Sequence, residues 1–199
     1  GLLTKNDLET KWSFNIPTLV SRLEGVNGGH LIEVGARPNT GKTSFHASLI
    51  ASENGFARQG ALCIVLCNEE SSYRVGSRYL TAATGMNMFQ IKENMAKAQE
   101  LYTPVKNNIK IKDAMNKDMN WVESVCKTYK PDVVVLDMGD KFVSHGSFAR
   151  QDEALKANAV HARQIAKAHG CAMFYMSQLS AEAEGKVCLL YTSPSPRDP

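Results

Sequence analysis

Four apolar positions, Val133-Val134-Val135-Leu136, stand between Asp132 and Asp137 with no polar residue among them. A strand with one wet face alternates in polarity. An uninterrupted β-branched run fits a strand covered on both faces, the condition of a parallel sheet with helices on each side. Other stretches repeat the theme: HLIEVG at 30–35, ALCIVLC at 61–67, the shorter alternating IKIKD at 109–113, and CAMFYMS at 171–177. Helical patterns fall between them. They are expected over 42–57, over 71–84 with Gly85 as the stop, and over 88–102 with Asn87 as the cap. Two more follow, from a cap at Asn116 to Tyr129, and over 151–169. The last has Ala, Leu and Ile on one stripe and Lys, Arg and His on the other. Strand and helix alternate throughout, which predicts an α/β fold with a mostly parallel central sheet and helices on both faces. Residues 85–120 are the most polar part and read as an excursion from the core.

The chain has 199 residues, 43% hydrophobic and 22% charged, which suits one globular domain with a real core. A net charge of +3 neither demands nor excludes nucleic acid, because groove binding needs clustered charge. The longest apolar runs are far too short to span a bilayer, and no membrane partner is expected. No signal peptide opens the chain, so cytoplasm is the default location. Of the five cysteines, Cys63 and Cys67 lie on one strand and point to one face. With no CxxC pair and no histidine cluster, they read as buried free thiols rather than zinc ligands.

Residues 188–198, CLLYTSPSPRD, back-translate with permitted codons into a transposase-type sequencing adapter read in frame. The expected division is therefore a lead-in over 1–28, an incomplete catalytic core over 29–187, and an adapter-derived tail over 188–199.

ARPNTGKTSF at 36–45 carries the chemistry. A phosphate loop needs glycine where backbone amides approach oxygen, a lysine for the outer phosphates, and a hydroxyl for magnesium. Gly41, Lys42 and Thr43 meet those needs. Arg37, Pro38, Asn39, Thr40 and Ser44 complete the expected nucleotide-binding stretch. Ala36 replaces the first glycine of the strict pattern but is small enough to keep the turn. An apolar strand enters and a helix leaves, so the helix N-terminus adds partial positive charge. Phosphoryl chemistry also needs a metal-holding carboxylate, and Asp137 at the end of its apolar strand fits; Asp140 is a weaker candidate. Asn68-Glu69-Glu70 and Ser177-Gln178 follow two other buried strands. In a parallel sheet such ends converge at the carboxyl edge. A glutamate there can deprotonate a water and a glutamine can touch the γ-phosphate, which together suit a hydrolase coupled to motion.

EVGARPNTGKTSF, VLCNEES, VVVLD and YMSQLS resemble, in order and spacing, the motifs of the DnaB-like replicative helicases over about residues 13–186. NEES looks like the form found in phage primase–helicases and the related mitochondrial helicase. The resemblance implies a RecA-like P-loop NTPase core that uses ATP (or another NTP) with Mg²⁺. It also implies a homo-hexameric ring on single-stranded DNA in the complete parent, a fused or associated primase, and a bacterial or phage-infected cell as the setting. Residue by residue, Lys42 and Thr43 hold phosphate and metal, Asp137 holds metal, Glu69 is the catalytic base with Glu70 as the alternative, and Gln178 senses the γ-phosphate. DNA-reading loops are implied at about 140–152 and 179–187. There Lys141, Arg150 and Lys186 would meet phosphates and Gly146 would permit close approach, while Glu182 and Glu184 oppose such a contact. The arginine finger and the C-terminal strand beside the phosphate-loop strand are expected to be missing. Residues 30–35 would then form an open edge, and the isolated chain would bind ATP weakly and turn it over little. Rival readings are a RecA-type recombinase or KaiC-like ATPase, a P-loop small-molecule kinase, and a non-catalytic nucleotide-binding module.

Overall fold

The computed structural model of the chain describes residues 10–144, 151–179 and 191–192. A two-stranded antiparallel ribbon, β1 (Trp12–Ser13) and β2 (Gly25–Val26), flanks helix α1 (Pro17–Leu23). Phe14 and Val26 of this region sink into the main core. The main body runs β3 (Leu31–Ala36), α2 (Lys42–Ala51), β4 (Cys63–Cys67), α3 (Ser72–Thr84), α4 (Met88–Glu93), α5 (Met95–Tyr102) and β5 (Ile109–Asp113). It continues through α6 (Met119–Tyr129), β6 (Val133–Asp137), a 3₁₀ turn (Gly139–Lys141), α7 (Gln151–His169), β7 (Ala172–Gln178) and β8 (Tyr191–Thr192).

The strands form one sheet in the order β5-β4-β6-β7-β3-β8. All pairings are parallel except that of β8. Period two divides the core. Cys63, Val65, Cys67, Val133, Val135 and Phe174 face α2 and α3. Ile64, Leu66, Val134, Leu136, Met173 and Tyr175 face α6 and α7. β6 lies between β4 and β7 with all five residues buried, as its unbroken apolar run requires. Cys63 and Cys67 are free, buried and on one face.

Several local expectations are corrected. α2 stops at Ala51, because the Ser52 hydroxyl donates back to the Ser48 carbonyl and Asn54 turns left-handed. The expected single helix over 88–102 is two. Asn87 builds a full capping box with Gln90, and Asn94 then ends α4 and caps α5 through the Lys97 amide. α6 is capped by Asp118, which accepts from the Trp121 amide, while Asn116 sits in a left-handed turn ahead of it. The polar segment 85–120 returns to the sheet as its outer strand β5. The phosphate-loop strand is not left open along its whole edge. β8, from within the tail, pairs antiparallel with it at Ile32↔Thr192 and Glu33↔Tyr191.

Candidate nucleotide-binding site

Parallel register sets the frame. Cys67 lies opposite Asp137, Asp137 opposite Met176, and Ala36 opposite Gln178. The segments that follow β3, β4, β6 and β7 therefore leave the same carboxyl edge, as the sequence leads one to expect. β3 leads into a turn in which the Thr40 hydroxyl donates to the Arg37 carbonyl at 2.7 Å and Asn39 is left-handed. Gly41 follows at φ 92°, in the region only glycine adopts freely, and its carbonyl accepts the first bond of α2 from the Phe45 amide. That geometry points the unpaired amides at the start of α2 outward, the arrangement that receives an anion.

A cleft of about 380 Å³ opens beside this turn. Pro38, Asn39, Gly41, Lys42 and Thr43 form one wall, and Glu69, Glu70 and Arg78 form the other. Arg37 and Ser44 are exposed and stand outside these walls. Glu70 is held by Arg78, whose Nη2 reaches both carboxylate oxygens at 2.9 and 3.0 Å. Glu69 is more exposed and accepts from Lys141 Nζ at 2.8 Å. Lys141 thus ties the turn after β6 to the candidate base. Gln178 stands at the same sheet edge but outside the cleft walls, because β7 ends beside Ala36 rather than beside β4. Its backbone N–H donates to Asp140 Oδ2 at 2.9 Å.

Beneath the cleft lies a buried polar cluster. Period two puts Asp137 on the same face as Val133 and Val135, toward α2 and α3. Its Oδ2 accepts from the Thr43 hydroxyl at 3.1 Å and lies 3.1 Å from His46 Nε2. Its Oδ1 is buried without a partner. Burial pushes the Asp137 carboxyl up, but bonds from His46 and Thr43 and the charge of Lys42 outweigh it, leaving the group below its ordinary range. Asn68 clamps the next peptide: its Oδ1 accepts from the Met138 amide at 2.8 Å and its Nδ2 donates to the Met138 carbonyl at 3.1 Å. On the opposite face of the sheet, burial raises Asp140. Glu33 is raised by burial and by Asp140.

The pairing of Thr43 with Asp137 was legible from the motif. His46 and Arg78 were not. The available signal for His46 was its place three residues after Thr43, on one face of α2. Gly146, Arg150 and Lys186 lie outside the described residues. Among the described residues no cluster of three or more His, Cys, Asp or Glu side chains is arranged to hold a metal, so any cation here would rest on a carboxylate, a hydroxyl and ligands the chain does not supply. No helix among them is long and apolar enough to cross a membrane.

A three-layer α/β core with a phosphate-loop strand, a glycine-led helix and a carboxylate at the tip of a neighbouring strand defines a RecA-like P-loop NTPase fold. The profile of the DnaB-like helicase C terminal domain matches residues 13–188, and the chain belongs to that family. Among curated proteins none matches the chain. Among solved structures it is similar to that of a DnaB-like replicative helicase and its interactions with primase, at a TM-score of 0.76 and 18% identity over 92% of this chain and 47% of the other. It is also similar to a second solved structure, described as an ATPase domain, at a TM-score of 0.71 and 18% identity over 85% of this chain and 64% of the other. The chain thus spans less than two thirds of either one.

Proposed function

We propose that this chain is the ATP-hydrolysing motor core of a replicative DNA helicase, working on single-stranded DNA as a homo-hexamer alongside a primase, in the cytoplasm. The observation that carries the reading is the stacking of the cleft on the Thr43–Asp137 pair, a phosphate loop coupled to a buried strand-tip carboxylate. The residues fit Mg²⁺. The Thr43 hydroxyl and the orphaned Oδ1 of the Asp137 carboxylate it bonds are oxygen donors of the kind this ion prefers. An ion held by Asp137 and Thr43 would supply charge neutralisation to the phosphates.

The chain's own groups do the rest. Lys42, at the start of α2, reaches the outer phosphates, and the amides of 41–43 cradle them. Glu69, or Glu70 in its place, accepts a proton from the water that attacks the γ-phosphorus. The new P–O bond forms as the bond to the bridging oxygen breaks, and ADP leaves. The Gln178 side chain senses loss of the γ-phosphate from a backbone that Asp140 holds, and Lys141 carries DNA contact to Glu69.

ATP turnover by the complete parent protein, with and without single-stranded DNA, tests this. Stimulation by DNA that Glu69→Gln abolishes, with ATP still bound, is expected. Turnover indifferent to DNA would favour a small-molecule kinase. An unimpaired Glu69→Gln would favour Glu70 or a binding module.

A further inference from the structure

His46 stands one turn beyond Thr43 on the buried face of α2 and is 1% exposed. Its neighbours in the core are apolar: Ala47, Leu49 and Ile50 of the same helix. An imidazole is costly in such a place unless both nitrogens are satisfied, and here both are. Nε2 lies 3.1 Å from Asp137 Oδ2 and Nδ1 lies 2.8 Å from the hydroxyl of Tyr79, itself wholly buried in α3. A carboxylate only accepts, so Nε2 carries the proton. In the neutral ring Nδ1 then accepts from the Tyr79 hydroxyl. The relay runs from α3 through α2 to the tip of β6.

This relay has a geometric result. Oδ2 of Asp137 receives two donors, His46 Nε2–H and Thr43 Oγ1–H. Two donors on one oxygen fix the rotation of the carboxylate, and the second oxygen, Oδ1, is left buried and unpartnered. We propose that His46, held in place by Tyr79, is a positioning residue for a divalent cation: it locks Asp137 through Oδ2, so that Oδ1 is kept without a protein partner. Groups behind a metal ligand commonly set its orientation, and their loss typically weakens metal affinity 10–100-fold. The inference rests on the reading of Lys42, Thr43 and Asp137 as a nucleotide–metal site and adds to it a residue that the phosphate-loop pattern does not specify.

The test is a titration of the full chain with a fluorescent ATP analogue, in EDTA and at rising Mg²⁺, with Mn²⁺ binding followed in parallel by electron paramagnetic resonance. His46→Leu fills the space but donates nothing. It is expected to raise the half-saturating Mg²⁺ and Mn²⁺ concentrations by roughly 10-fold while leaving nucleotide affinity in EDTA unchanged. His46→Gln, whose amide can donate to Asp137 and accept from Tyr79, should restore most of the loss. Tyr79→Phe should shift the metal midpoint in the same direction by a smaller factor and add nothing in the His46→Leu background.

A folded His46→Leu chain with the wild-type metal midpoint overturns the proposal, as does a folded His46→Gln chain as impaired as His46→Leu. Should His46→Leu fail to fold, Tyr79→Phe decides alone: a raised midpoint supports the relay and an unchanged one overturns it. A wild-type chain whose nucleotide binding ignores Mg²⁺ overturns the site reading and this inference with it, whereas failure of the variants alone leaves the site reading intact.

Discussion

Lys42 and Asp137 meet at one site with opposite charges, and their replacement should have different signatures. On the proposed reading, Lys42→Ala removes the cation that would reach the outer phosphates while leaving the buried cluster intact. It is expected to weaken nucleotide affinity by at least about 10-fold without lowering the melting temperature, read by fluorescent-nucleotide titration and a thermal melt. Asp137 responds to pH. Its carboxyl is held below its ordinary 3.8 in the folded chain, with burial opposing and His46, Thr43 and Lys42 prevailing. An acid depressed on folding stabilises fully above its unfolded value and loses that stabilisation as pH falls through the folded one. The contribution is therefore complete above about pH 4 and fades below it. Asp137→Asn should flatten the acid limb of a plot of unfolding free energy against pH, measured by urea titration. At this scale the sequence pointed to Lys42, Thr43 and Asp137 as one group through a phosphate-loop pattern and a strand-tip carboxylate, and the fold brings Thr43 and Asp137 to 3.1 Å. It was silent wherever the role depends on a distant partner. His46 meets Tyr79 33 positions away and Asp137 91 positions away, and no spacing rule connects them.

Between residue and molecule, the short 3₁₀ turn after β6 governs the alignment of the site. A Cβ added at Gly139 would lie 2.5 Å from two ring atoms of Tyr175 on β7. The turn can approach β7 only because that side chain is absent, and this approach lets Asp140 accept from the Gln178 backbone N–H. Gly139→Ala is expected to cost about 1–3 kcal/mol, the usual range for overpacking, and to impair nucleotide turnover of the parent beyond what the stability loss explains. Urea denaturation together with ATPase assays would show both. The elements themselves were largely evident from pattern: β5 and α7 begin and end where periodicity places them. Caps were harder. Asn116 and Asp118 are both good helix starters two residues apart, and the choice falls to Asp118, whose side chain reaches the Trp121 amide. Asn94 interrupts α4 and α5 by the same chemistry within a stretch whose polarity alone reads as one helix.

Across the whole molecule, alternation of strand and helix implied a parallel sheet, but strand order was not readable from one sequence, because any order of covered strands buries the same apolar faces. The order found puts β6 at the centre and β3 near an edge, where two residues of β8 cover Ile32 and Glu33. So short a pairing covers only two residues of the strand and is a weak guard for its outer edge. Deleting residues 188–199 should increase self-association, seen as greater light scattering at equal concentration; unchanged scattering would show that this pairing protects nothing. The polarity of the sheet has one more outcome. All five parallel strands send their chemistry to one rim, so the opposite rim is free for engineering. Asn107 is exposed just ahead of β5, a strand length of about 16 Å from the carboxyl end, and the described cysteines are all buried. A thiol introduced there as Asn107→Cys offers an anchoring point for a dye or a surface tether on the side of the molecule that faces away from the nucleotide.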